Sequence, residues 1–226
     1  GEWKSLLTFQ ETLRVRDAED EFLEIQETEW GPILAYDHDG IPLALNWVAQ
    51  HRDAADLKLV HLELAANVDQ ALGTAQQSGI PAQNFIVGDR KGNIGWTIAG
   101  RIPVRSGNYD PQLPADWSNH ETGWLGWLPS MHYPLISNPT NMRLWSANAR
   151  LVEGLALERL GDGGYELGAR SKQIRDSLLA KERFTTEDLF AVQLDHRALF
   201  LTRWQKLLHE IIDRAPSESW KQKLAD

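Results

Sequence analysis

QNFIVGDRKGNIGWTIAG, residues 83–100, decides the fold. Phe85, Ile86 and Val87 form a short apolar strand. Asp89-Arg90-Lys91-Gly92-Asn93 is a turn cluster, and Gly92 is free to take a positive φ. Ile94, Trp96 and Ile98 then alternate with Gly95, Thr97 and Ala99, so one face of the second strand is large and the other small. The stretch reads as a β-hairpin whose second strand is packed on both faces, with something approaching the small side closely.

Upstream, the chain reads as more strands. Thr12 to Arg16 alternates, Asp17-Ala18-Glu19-Asp20 turns, and Phe22 to Gln26 returns. Gly31 to Tyr36 and Leu43 to Trp47 are two further strands, joined through a turn at Asp37-His38-Asp39-Gly40. Between these strands and the hairpin, Leu57 to Gln77 shifts towards helical spacing. Asn67 or Asp69 starts its last helix, which ends at Ser78-Gly79.

Downstream, Pro103 to Arg143 carries six of the ten prolines and little periodicity. A structureless stretch of that length is unusual in a compact domain. Its aromatic residues, Trp117, Trp124, Trp127 and Tyr133 among them, predict a packed loop. The ten tryptophans read first as plugs in a large core, and second as the lining of a pocket for an apolar or acyl ligand. Leu144 to Asn148 reads as a short strand, followed by a second irregular segment to Gly168. Two helices close the chain. Ala169 to Lys181 has Ile174 and Leu178 four apart. The other starts at the capping-box-like Thr185-Thr186-Glu187-Asp188 and carries apolar positions as far as Leu208. The expected class is α+β: a strand-rich part over 1–105, long loops over 106–168, and a helical part over 169–226.

Bulk properties narrow the function classes. Lysine and arginine number 23 against 32 acidic residues, a net charge of −9, with no clustered basic stripe. That argues against binding a phosphate backbone. No run of about 18 apolar residues exists to span a membrane. The absence of cysteine removes thiolate metal sites, a thiol nucleophile and disulfides. The seven histidines have no close metal-type spacing. Asp37-His38-Asp39-Gly40 starts like a calcium loop but lacks the glutamate that should follow, so it reads as a turn. There is no G-x-S-x-G elbow, Walker motif or dinucleotide glycine motif. The distinctive short run is Trp145-Ser146-Ala147-Asn148-Ala149-Arg150. Its asparagine can aim an amide N–H into a cleft, as an oxyanion hole requires, or it can simply form a turn.

Taken in order, the motifs resemble those of the penicillin acylase family. The carrying blocks are ETEWGPIL (27–34), LALNW (43–47), GDRKGNIGWTIAGRIPVR (88–105), SGNYDPQLP (106–114), WLGWLP (124–129), NPTNMRLWSANAR (138–150) and FTTEDLFAVQLD (184–195). The resemblance covers nearly the whole chain. It implies an N-terminal-nucleophile hydrolase with an αββα sandwich, cut from a precursor so that a serine opens the larger chain. That serine attacks an amide carbonyl with its own α-amine as base. Implied substrates are small N-acyl compounds, penicillins and in some members acyl-homoserine lactones.

By the same resemblance, Asn148 matches the family's oxyanion-hole asparagine. Arg170, in GARSKQI, is similar to an arginine near the site. Pro111 and Asp162 fall where some members hold a structural calcium through a backbone carbonyl and a carboxylate. The family's nucleophile block, Ser-Asn-x-Trp, is not in this sequence. The chain is therefore expected to be an internal piece of the larger chain, inactive alone, with the remainder of the parent polypeptide as its partner. Periplasmic or extracellular location is implied by the family. Exposed edges left by absent strands predict a tendency to dimerise or exchange strands. The competing expectation, from another functional class, is a non-catalytic, aromatic-rich binding module.

Overall fold

The computed structural model describes residues 3–110, 112–119, 121–162 and 164–214. The chain divides into two compact units, Gly1–Leu144 with Leu151–Gly164, and Trp145–Arg150 with Tyr165–Asp226. The class is α+β, and every pairing between its strands is antiparallel.

The first unit opens with a four-stranded meander of β1 (Leu7–Leu13), β2 (Glu21–Thr28), β3 (Gly31–Tyr36) and β4 (Pro42–Ala44). The first strand begins earlier than its alternation predicts, and its register runs from Leu7 opposite Glu27 to Leu13 opposite Glu21. The expected turn between β3 and β4 is present. Asp37 Oδ1 accepts from the backbone N–H of Asp39 at 2.9 Å and of Ile41 at 2.8 Å.

Helix α1 (Val68–Gln77) follows, and Asn67 is its N-cap, accepting from the Gln70 N–H at 3.0 Å. The expected hairpin is β5 (Gln83–Gly88) and β6 (Ile94–Ala99), with Gln83 opposite Ala99 and Gly88 opposite Ile94. Its turn is tied by Asp89, whose carboxylate accepts from the N–H groups of Lys91 and Asn93 and from Asn93 Nδ2, at 2.9, 3.0 and 2.9 Å. The Asn93 side chain, above all, holds the Asp89 carboxyl below its ordinary range.

Both faces of β6 are covered, as its alternation requires. On the small face, a Cβ added at Gly95 would lie 2.7 Å from Leu72 Cδ1 and 2.8 Å from Val68 Cγ1, so only glycine lets α1 approach. Thr97 on that face accepts from Gln76 Nε2 at 3.0 Å and donates to the Pro134 carbonyl at 2.8 Å. On the large face, Trp96 and Ile98 join Ile102 and Tyr133 in a buried cluster, flanked by Leu128, Ile136, Leu144, Leu151, Val152 and Leu160. The Tyr133 hydroxyl donates to the Gly100 carbonyl at 2.7 Å, and burial pushes its pKa up.

The stretch read as irregular contains regular pieces. Strands β7 (Pro103–Ser106) and β8 (Gly123–Trp127) pair, β9 (Leu135–Ser137) adds to the free edge of β6, and α2 (Gly154–Leu160) follows. No strand forms at 144–148, against expectation. With β5 and β9 on its two edges, β6 has no edge to offer, and Ala147 and Asn148 take left-handed conformations that no strand accepts. Trp117, Trp124 and Trp127 are half-buried outside the β6 core: Trp117 and Trp124 line a cavity, and Trp127 packs against Trp124 with ring centroids 6.1 Å apart.

The second unit holds α3 (Ala169–Leu179), α4 (Thr186–Gln193) and α5 (Thr202–Arg214). The capping box at the start of α4 is formed: Thr185 Oγ1 accepts from the Asp188 N–H at 3.2 Å, and Asp188 Oδ2 from the Thr185 N–H at 3.0 Å. The helix expected to continue to Leu208 stops at Gln193. Just beyond it, Asp195 accepts from Arg197 Nε at 2.8 Å, from Arg197 Nη2 at 2.9 Å and from Gln173 Nε2 at 2.8 Å. The Arg197 guanidinium, chiefly, holds the Asp195 carboxyl well below the usual carboxylate range. No helix among the described residues is long and apolar enough to cross a membrane.

Candidate functional site

The residues with a recognisable chemical arrangement lie in the second unit. Residues 145–150 form an irregular loop in which Ala147 has φ +69° and Asn148 +59°. Asparagine tolerates the left-handed region; alanine does so at a cost of about 1–2 kcal/mol. Two contacts hold the loop. Ala149 is buried, and the Asn148 carbonyl accepts from the Glu166 N–H at 3.0 Å. The Asn148 side chain is left exposed at the crest of the loop.

Arg170 then fixes which way that amide faces. It stands in the first turn of α3, whose N-cap is Gly168. A cation there opposes the helix dipole, so its position contributes nothing to helix stability. Its Nη2 donates to Asn148 Oδ1 at 2.8 Å. A guanidinium has donors only and can hold only the carbonyl end of the amide. Asn148 Nδ2 is thereby directed away, and it has no partner among the described residues. The result is an exposed, oriented pair of N–H donors on a strained loop, a form suited to an oxygen that gains negative charge.

Asp162 lies in the first unit, half-buried, with Oδ1 accepting from the Gly164 N–H at 3.2 Å. Pro111 lies outside the described residues. Among the described residues, the group of carboxylates and histidines close enough to share an ion is Asp37, His38 and Asp39, on the exposed β3–β4 turn. The left-handed pair and the Arg170 contact are what sequence reading missed. The one signal was an arginine in the first turn of a helix following a glycine.

Comparison with known proteins bears on the chain as a whole. The penicillin amidase family profile matches residues 1–226. The penicillin acylase 2 proenzyme of Pseudomonas sp. (strain SE83) is 27% identical over 99% of this chain and 29% of its own length. An acyl-homoserine lactone acylase QuiP from Pseudomonas syringae pv. syringae is 28% identical over 96% of the chain and 27% of its own length. Thus the chain spans less than a third of these relatives. A solved structure of a thermostable penicillin G acylase from Alcaligenes faecalis superposes with a TM-score of 0.67 at 21% identity, covering 99% of this chain and 41% of that one, so the fold is shared. The chain belongs to the penicillin amidase family.

Proposed function

We propose that this chain is part of an N-terminal-nucleophile amidohydrolase that removes the acyl group from small N-acyl compounds, penicillin side chains or N-acyl-homoserine lactones. In this reading a serine outside the chain attacks the amide carbonyl and passes its proton to its own α-amine. The carbonyl oxygen becomes an oxyanion, which Asn148 Nδ2 stabilises by donating a hydrogen bond. The carbon–nitrogen bond then breaks, the amine leaves with the proton, and water hydrolyses the acyl-serine. The observation that carries the reading is the 2.8 Å bond from Arg170 to Asn148 Oδ1, which turns the donor end of the amide outward. Relatives that include a penicillin acylase proenzyme and an acyl-homoserine lactone acylase support the substrate class and a precursor form.

A structural calcium belongs to the same proposal. Asp162 Oδ2 accepts no bond among the described residues and would be one ligand, with the Pro111 carbonyl another. An ion with about six to eight oxygen ligands needs the rest from elsewhere in the parent protein. The proposal also sets the enzyme in the periplasm or outside the cell.

The decisive experiment is Asn148→Ala in the full-length enzyme, assayed on a chromogenic phenylacetyl amide. Loss of one oxyanion donor lowers kcat by about 10²–10³-fold, roughly 3 kcal/mol of barrier, with thermal unfolding unchanged. Hydrolysis within a few-fold of wild type would remove Asn148 from the site.

A further inference from the structure

The first unit carries a second feature, one that no step of the proposed hydrolysis invokes. Trp30, Trp117 and Trp124 form consecutive walls of an open cavity of ≈ 290 Å³. Trp30 meets Trp117 edge-on, with centroids 6.4 Å apart and planes at 85°; Trp117 meets Trp124 at 6.2 Å and 50°. The faces therefore turn around the space like adjoining sides of a box. All three indoles are half-buried, so each keeps part of its surface in solvent.

The walls are braced by His51, itself part of the lining, and by Trp127. His51 stacks on Trp124 at 5.4 Å and 29°, and its Nε2 lies 2.7 Å from Asn46 Oδ1. Trp127 packs edge-on against the same imidazole at 5.3 Å, and its Nε1 donates to Asp53 Oδ2 at 2.9 Å. Gly123 beside the Trp117 ring holds φ +143°, a conformation that favours glycine, and a Cβ there would make an ordinary 3.4 Å contact with the ring. One carboxylate, Glu29, is at the rim, and it is paired with the Lys4 ammonium. The Lys4 side chain is 67% exposed.

We infer that this aromatic box is a binding site for a small organic cation of the quaternary-ammonium class. Ring faces carry negative potential, and steeply angled indoles present it from several sides of one point. A quaternary ammonium has little hydration to lose and no N–H to satisfy, which suits the indole walls; Asn46, Ser106 and Thr122, which also line the cavity, are neutral and bring no competing cation. Glu29 supplies the countercharge at the mouth. An anion meets the reverse: indole faces, a carboxylate and a chain of net charge −9. Lys4 already demonstrates that Glu29 attracts an ammonium, and it competes with a ligand for that carboxylate.

The test is titration of the intact protein with tetramethylammonium chloride, followed by calorimetry and tryptophan fluorescence at constant ionic strength. Saturable binding at one site is expected, with tert-butanol, the uncharged molecule of similar shape, not saturating. Trp117→Leu should weaken binding by about tenfold. Glu29→Gln should weaken it by about threefold and Lys4→Ala should strengthen it by about twofold, as exposed charges at high dielectric do. The last two are surface exchanges that leave folding intact, so the answer does not depend on how Trp117→Leu folds. Equal binding of tert-butanol makes the cavity merely apolar and overturns the inference. So does binding of glucose in place of the cation, or a titration that neither Glu29→Gln nor Lys4→Ala changes.

Discussion

In the β5–β6 turn the left-handed residue is Gly92, at φ +86°; in the 145–150 loop the left-handed residues are Ala147 and Asn148, at +69° and +59°. Gly92 has no Cβ to strain, and the Asp89 side chain satisfies the backbone donors around it. Ala147 has a Cβ that the conformation disfavours, and the loop is held by Ala149, Glu166 and Arg170. The hairpin is a place where local preference, pattern and packing agree. The loop is a place where local preference is overruled by surrounding contacts. Strain held by neighbours clusters at functional sites, and the proposed function gives it a purpose here, the aim of the Asn148 amide.

The largest effect on this comparison should come from attacking the agreement in the hairpin. Gly95→Val forces a branched side chain into Leu72 and Val68, which a Cβ alone would approach to 2.7 and 2.8 Å. Overpacking of that kind costs about 3 kcal/mol. Urea unfolding followed by tryptophan fluorescence should show a lower midpoint. An unchanged midpoint would mean that α1 does not need the small face.

A smaller effect is expected from loosening the loop. Arg170→Ala frees the Asn148 amide to rotate but leaves its donors in place. In the full-length enzyme kcat should fall by roughly tenfold, about 1.4 kcal/mol, with KM nearly unchanged. Arg170→Lys, with a single-point donor, should recover part of the loss. A rise in KM with kcat preserved would make Arg170 a substrate-binding residue and end its role as a positioning one.

The same contrast explains what could be read in advance. The hairpin, the Asn67 cap and the Thr185 capping box were legible because their determinants lie within a few residues: alternation at Ile94–Ala99, and polar caps beside apolar runs. The partner of Gly95 was legible as a need for close approach, and the helix that meets it was identified separately. Trp145-Ser146-Ala147-Asn148 misled because short apolar-polar alternation resembles a strand. Strand formation requires extended backbone, and Ala147 and Asn148 are left-handed instead. Likewise Trp117 and Trp124 are large enough for a core, but only three-dimensional packing decides whether indoles plug it or wall a cavity. For Asn148 itself, residue order alone indicated the position; the orientation depends on Arg170, 22 residues away.

The smallest effect is the sharpest probe of the strain at Ala147. Ala147→Gly removes the Cβ penalty of the left-handed region, about 1–2 kcal/mol, and adds backbone freedom to the unfolded chain worth about 0.5–1 kcal/mol. The net change should be stabilising or neutral and no larger than about 1 kcal/mol. Gly92→Ala is its mirror. No atom lies within 4 Å of the new Cβ there, so only the backbone conformation is penalised, and stability should fall by about 1 kcal/mol. Denaturant midpoints of the two variants should therefore move in opposite directions or, at the least, differ. If Ala147→Gly destabilises as much as Gly92→Ala, the alanine methyl is making a packing contact that outweighs the strain, and the loop is a packed element like the hairpin. If it stabilises while kcat in the full-length enzyme falls, the strain is what holds Asn148 in its working direction.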